Sequence, residues 1–385
     1  MKPKKVRVDF RKNRTERTRS GNWTRKFEEH GLNEESDCLD AFSAVERVEG
    51  NRGELSRKRT VVGEQIEHKG DFTVLPNVDT DKLFAGRVLR VHGASSVVQT
   101  DDGRQFHCVT RRILKTLSTD QRQPVVAGDY VFIRPAPTNS PGETAYAEAM
   151  IERVEPRYRT LARTSYLRKH IIVANVDQAL IIASAAEPTL KPNLIDRMIL
   201  TAEQSGILPI VCINKIDIVD PAELQPMAGV YAQMGYKVVL MSVKTGYGLE
   251  RLRRLLKEQS SVVAGQSGVG KSSLLNAVDP QLKLRVAAVG NAQKGKHTTT
   301  TAELMQLSFG GYVVDTPGLR QFMLWDIISE EVFGLFRDLR PYENLCHFPD
   351  CTHSHEDDCA VKIAVGEGRL DIRRYESYLG IRFGQ

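Results

Sequence analysis

The run Gly265-Gln266-Ser267-Gly268-Val269-Gly270-Lys271-Ser272 constrains this chain more than any other stretch. Ser261-Val262-Val263-Ala264 before it reads as a short buried strand, and Ser272 to Val278 after it as the opening of a helix. Glycines at such a strand-to-helix turn let main-chain N–H groups converge on phosphate oxygens, helped by the positive end of the helix dipole. Lys271 is then placed along the β- and γ-phosphates and Ser272 as a hydroxyl ligand to Mg²⁺, with Ser273 counted in the same loop. The fold expected around it is an α/β phosphate-loop domain.

A second strand, Tyr312-Val313-Val314, delivers Asp315-Thr316-Pro317-Gly318. Asp315 at its end can hold a water of the Mg²⁺ shell, and the Gly318 N–H can meet a γ-phosphate. Between these motifs lies Lys294-Gly295-Lys296-His297-Thr298-Thr299-Thr300-Thr301, a polar stretch whose threonines can cap the metal. Thr299 is the expected Mg²⁺ ligand, with Thr298 as the alternative.

Base choice falls to a third strand, Ile207 to Ile213, which carries Asn214, Lys215 and Asp217 at its end. Guanine presents N1–H and N2–H₂ side by side. A carboxylate accepts both donors, and adenine has no such pair, so Asp217 favours GTP over ATP. Asn214 can steady the loop, while the Lys215 stem covers the base. After Val238-Val239-Leu240-Met241, the segment Ser242-Val243-Lys244-Thr245-Gly246 sits where a main-chain amide can reach the guanine O6, which adds Ser242 and Lys244 to the base loop.

The order is unusual. The base motifs precede the phosphate loop by about fifty residues, which is the order of a circularly permuted domain. The loop after Asp315, which responds to the γ-phosphate, then runs directly into whatever lies C-terminal to it.

Near that end Cys346, Cys351, His353 and Cys359 put three thiols and an imidazole within fourteen positions. Sulfur with imidazole is the ligand set of a closed, tetrahedral structural Zn²⁺ site. His347 and His355 lie close by in sequence but outside this pattern. Half of the six cysteines are in the cluster. Cys38, Cys108 and Cys212 read as lone reduced residues, since nothing points to an oxidising compartment.

Taken together, Asn214-Lys215-Ile216-Asp217, Gly265 to Ser272, Lys296 to Thr300, Asp315 to Leu319 and the Cys/His cluster resemble the RsgA family of circularly permuted small ribosomal subunit biogenesis GTPases. The resemblance covers roughly residues 82 to 385. It implies an N-terminal OB-fold, a permuted GTPase domain and a zinc-binding domain whose ligands fall on the four residues above. It also implies action on the 30S subunit and its 16S rRNA late in maturation.

Short β-rich segments from Gly86 onward, with Asp101-Asp102-Gly103 as a hairpin turn, fit a small barrel. An SH3-like barrel satisfies the same pattern; the resemblance implies the OB type, whose strand face commonly holds nucleic acid. Arg87, Arg90, Arg104, Arg111, Arg112 and Lys115 are its candidate rRNA-facing cations, although each taken singly is more often a plain surface charge. Residues 1–80 read as a disordered extension. Between Lys2 and Lys26 it holds eleven Lys/Arg against two acidic residues, whereas Glu28 to Glu54 is predominantly acidic. Such a basic run is either a solvated tail or a contact to a phosphate backbone. The expected layout is 1–80 extension, 81–157 OB-fold, 158–322 GTPase domain and 323–385 mainly α zinc domain. No apolar run has the length of a membrane span, so the expectation is a cytoplasmic monomer.

Hydrolysis is the less determined part. Leu319 follows Asp-Thr-Pro-Gly where many GTPases carry a water-orienting glutamine, and an aliphatic chain cannot orient water. His297 is the candidate substitute, and the resemblance implies a histidine in this role. The alternative is a loop histidine facing solvent or rRNA. Two functions compete on these grounds: an enzyme whose subunit-stimulated hydrolysis times its release, and a GTP-gated checkpoint on rRNA in which hydrolysis is incidental.

Overall fold

The computed structural model describes residues 4–9, 58–68, 71–76, 78–112, 114, 124–136, 147–165, 168–284, 286, 302–315 and 329–384. These divide into two compact units, Met1–Tyr158 with Ser165–Ala174, and Arg159–Thr164 with Asn175–Gln385.

In the first unit, β1 (Lys4–Asp9), β2 (Lys58–His68) and β3 (Asp71–Pro76) form an antiparallel sheet. Three segments of the extension are therefore strands where disorder was expected. Main-chain pairing along the full length of β1 against β2, from Lys4 opposite Gly63 to Asp9 opposite Lys58, orders stretches that charge counting alone assigns to solvent.

A five-stranded barrel follows. Its strands are β4 (Phe84–His92), β5 (Ser95–Thr100), β6 (Gln105–Thr110), β7 (Tyr130–Pro135) and β8 (Ala147–Val154). The order β4-β5-β6-β8-β7 closes by a β7–β4 pairing, and β6 with β8 is its parallel pair. Alternation fills the interior: Val88, Val98, Phe106, Cys108, Val131, Ile133 and Ile151 are buried together. The predicted hairpin turn is present. Thr100 and Arg104 exchange a main-chain bond across it, and Gly103 takes φ +84°, a conformation that favours glycine.

The chain passes between the units along β9 (Thr160–Ser165) and β10 (Arg168–Ala174). The second unit is built on β11 (Gln178–Ser184), β12 (Leu208–Asn214), β13 (Lys237–Leu240), β14 (Ser260–Ala264), β15 (Glu303–Gln306) and β16 (Tyr312–Asp315). Their order is β13-β12-β11-β14-β16-β15, with β15 antiparallel to β16 and the other neighbours parallel. The continuous apolar runs of β11, β12 and β14 follow from burial on both faces, as a parallel sheet requires. Helices α1 (Pro192–Gln204), α2 (Pro221–Gln233), α3 (Leu249–Leu256) and α4 (Lys271–Val278) cover it. Proline occupies the first turn of both α1 and α2, and the Asp220 carboxylate caps α2 by accepting from Ala222 N at 2.9 Å.

The C-terminal residues carry three more helices, α5 (Val332–Leu335), α6 (Ala360–Gly366) and α7 (Ile372–Arg382). They do not form a compact unit of their own. Leu200 of α1 is buried in one cluster with Phe333, Phe336, Cys359 and Tyr378, so the expected boundary at 322/323 does not separate two cores.

Candidate guanine-nucleotide site and metal centre

Because β11, β12, β13, β14 and β16 run parallel, their C-terminal ends lie along one edge of the sheet. The expected motifs meet there: Asn214 ends β12, Gly265 follows β14, Asp315 ends β16 and Ser242 follows β13. Ligands of open α/β sheets bind at this edge.

The phosphate loop is shaped by its glycines. Gly265, Gly268 and Gly270 have φ of +147°, +85° and +93°, in the region that L side chains rarely enter. A Cβ on Gly265 would stand 2.2 Å from the Ile182 carbonyl oxygen, and one on Gly270 would stand 2.7 Å from Asn214 Nδ2. Buried Val269 anchors the loop to the sheet core. Lys271 turns its ammonium onto the loop, donating to the carbonyls of Gly265 and Gln266 at 2.8 Å each. Ser272 and Ser273 open α4 half-buried, while Ser267 and Gly268 are exposed.

The base loop is tied to the phosphate loop directly. Asn214 is buried and its Nδ2 donates to the Val269 carbonyl at 2.9 Å. Lys215, at φ +63°, sends its ammonium to the Gly268 carbonyl at 3.0 Å and to that of Glu187. Buried Ser242 donates to Asp217 Oδ1 at 2.6 Å. That bond, supported by the charges of Lys244 and Lys215, holds the exposed Asp217 carboxyl below its ordinary range. An ionised acceptor pair thus faces solvent where a guanine edge would sit. The Glu187 carbonyl was not legible as part of this site, because a main-chain acceptor leaves no residue signature.

His297, Thr298, Thr299 and Gly318 lie outside the described residues, and of Asp315 only the main-chain position is described. The fit to Mg²⁺ therefore rests on Ser272 at the helix opening and on β16, which ends at Asp315 and pairs with the strand that leads into the phosphate loop.

The Cys/His cluster assembles as its spacing suggests. The ligand atoms of Cys346, Cys351, His353 and Cys359 all lie within 4.8 Å of one another. His353 Nδ1 is 3.3 Å from Cys346 Sγ and 3.5 Å from Cys359 Sγ, and the two sulfurs are 3.9 Å apart. Tetrahedral Zn²⁺ with ~2.3 Å bonds to sulfur and ~2.0 Å to nitrogen has edges of about 3.5–3.8 Å, so the donor set fits. Burial, with the nearby Arg382 charge, keeps the imidazole pKa low and favours the neutral, metal-binding form. Burial and the neighbouring sulfurs push the Cys351 thiol up to about 12, a penalty on the thiolate that a divalent cation would offset. The His353 ring stacks on Phe333 with centroids 4.1 Å apart. His347 and His355 are exposed and stand outside the set.

Barrel arginines offered for RNA have partners within the protein, and Arg104 bonds Asp102 at 2.6 Å. Arg87 is buried, and Arg111 bonds buried Glu152 at 2.6 Å.

The family profile described as RsgA GTPase matches residues 154–325. Proteins named small ribosomal subunit biogenesis GTPase RsgA are similar over most of the chain. The one from Shewanella oneidensis is 36% identical over 336 residues, covering 85% of this chain and 92% of its own. The one from Chlorobaculum parvum is 37% identical over 310 residues, covering 78% and 98%. Among solved structures, YjeQ from Thermotoga maritima aligns with a TM-score of 0.63 at 34% identity, over 78% of this chain and 98% of that one. YloQ, a circularly permuted GTPase, aligns at 0.60 and 29% identity, over 78% and 94%.

Proposed function

Since the chain belongs to the RsgA family of circularly permuted GTPases and is a GTP hydrolase, we propose that it binds the 30S subunit and assists its late maturation. In this reading the subunit stimulates hydrolysis, and hydrolysis releases the protein. The bond from Asn214 to the Val269 carbonyl carries the nucleotide part, because it makes the base loop and the phosphate loop one rigid receptor.

GTP binds with its guanine edge on Asp217, its base between Lys215 and the Ser242–Lys244 loop, and its phosphates on Gly265 to Ser273. Lys271 leaves the carbonyls of its own loop for phosphate oxygens. Mg²⁺, held by Ser272 and Thr299 with Asp315 on its water shell, would offset phosphate charge. Gly318 offers its N–H to the γ-phosphate, and His297 orients the attacking water in place of the glutamine that Leu319 replaces. Zn²⁺ on Cys346, Cys351, His353 and Cys359 would fix the C-terminal loop. The barrel's closure and its parallel β6–β8 pair support an OB type over an SH3-like one, and so a nucleic-acid face toward 16S rRNA. No described helix is long and apolar enough to cross a membrane, and a cytoplasmic monomer is part of the proposal.

The test is GTP turnover with and without 30S subunits, paired with co-sedimentation in GDP and in a non-hydrolysable GTP analogue. Strong stimulation with analogue-dependent binding is expected. A flat rate with GTP-dependent binding favours a checkpoint on rRNA in which hydrolysis is incidental. His297→Ala should remove the stimulated turnover and spare GTP binding; unchanged turnover rejects His297.

A further inference from the structure

Helix α1 packs in two directions. Leu194, Ile195 and Met198 share a small apolar cavity with Gln266 and Val269 of the phosphate loop. Asp196 and Leu200, on the same helix, engage the C-terminal residues instead. Asp196 is fully buried, with Arg374 Nη1 of α7 at 2.5 Å from its Oδ1. The same guanidinium, itself 2% exposed, forks onto Asp338 through Nε at 2.9 Å and Nη2 at 3.0 Å, and lies over the Phe336 ring. Tyr231 of α2 completes the cluster by donating to Asp196 Oδ1 at 2.8 Å. One cation therefore joins α1 to α7, and a hydroxyl joins α1 to α2.

Apolar contacts tolerate sliding, whereas a buried fork between two carboxylates fixes distance and angle. We propose that Arg374 is a positioning residue for the GTP site: it holds α1 through Asp196, and α1 supports the phosphate loop from its other side. The C-terminal residues are then a working part of the nucleotide receptor. This rests on the reading that the loop from Gly265 to Ser273 binds guanine nucleotide.

The test is titration of the full chain with a fluorescent GDP, which yields both Kd and the number of sites per chain. In the variant Asp196→Asn/Asp338→Asn/Arg374→Met no charge is left buried without a partner, which favours retention of the fold. The expected result is a full site count with Kd raised at least fivefold. Loss of sites with an unchanged Kd in the remainder would mean a purely structural role and overturn the proposal, as would full sites with wild-type Kd. Tyr231→Phe, which removes only the hydroxyl, should raise Kd about twofold at full site count, and Arg374→Lys decides the matter if the triple variant does not fold. Arg374→Lys, which keeps the charge and loses the fork, should fall between the triple variant and wild type. An unmodified chain that binds no GDP would reject the nucleotide reading itself, and is told apart because the failure shows before any substitution.

Discussion

At the scale of single residues, the proposed recognition of guanine turns on Asp217 and the hydroxyl that steadies it. Asp217→Asn exchanges an acceptor for a mixed donor and acceptor against the guanine donors. GTP binding should weaken by about 1.5–3 kcal/mol, roughly tenfold to a hundredfold in Kd. Xanthosine triphosphate, with a carbonyl at C2, should gain, and competition between the two nucleotides measures the exchange. Ser242→Ala acts through pH. Because the folded carboxyl is held below its ordinary value, its ionised form survives as pH falls. Removing the donor should shift the acid limb of GDP binding to higher pH, and superimposable binding curves would deny the hydroxyl this role. Gly270→Ala places a methyl against the Asn214 amide and should abolish nucleotide binding while the barrel still folds. These residues were legible because each motif needs one particular functional group at one spacing. Arg374 was not: its partners Asp196 and Asp338 lie far apart in sequence, and a buried ion pair leaves no local pattern.

At the scale of elements, strands and their ends were the readable part. The cores of β12, β14 and β16 are continuous apolar runs, and such runs report burial on both faces. The strands of the N-terminal extension escaped notice because β1 lies in a run charged like a solvated tail, and charge counting passes over the short apolar stretches Val61-Val62 of β2 and Phe72 to Leu75 of β3. The C-terminal loop is held by α7, whose Tyr375 and Tyr378 donate to the carbonyls of His353 and Thr352 at 2.7 and 2.8 Å, and in the proposed reading by a metal on its Cys/His cluster as well. Chelation should free the thiols of Cys346, Cys351 and Cys359 to alkylation at pH 8. Cys108 and Cys212, whose thiols burial pushes up to about 12, should stay protected until the protein is denatured. Mapping the modified cysteines after chelation, and again in denaturant, checks both statements.

At the scale of the whole molecule, one unit carries a barrel and the other the candidate nucleotide site and the Cys/His cluster. Deleting residues 1–57 removes the eleven cations between Lys2 and Lys26. Basal GTP hydrolysis should be unchanged, and the salt dependence of 30S binding should flatten. A slope equal to that of the intact chain would assign the run to a solvated tail.

The placement of β14 has a temporal consequence. This strand is flanked by β11, paired at Gln178 with Ser261, and by β16, paired at Tyr312 with Ser260, so it closes a gap between neighbours that are made before and after it. A nascent chain grown only to β13 carries the loop from Asn214 to Asp217, yet β11 has an open edge and there is no cradle for phosphate. Tight retention of a nucleotide therefore requires a chain made through β14 and the glycine loop behind it, and a copy halted before Gly265 is silent toward nucleotide.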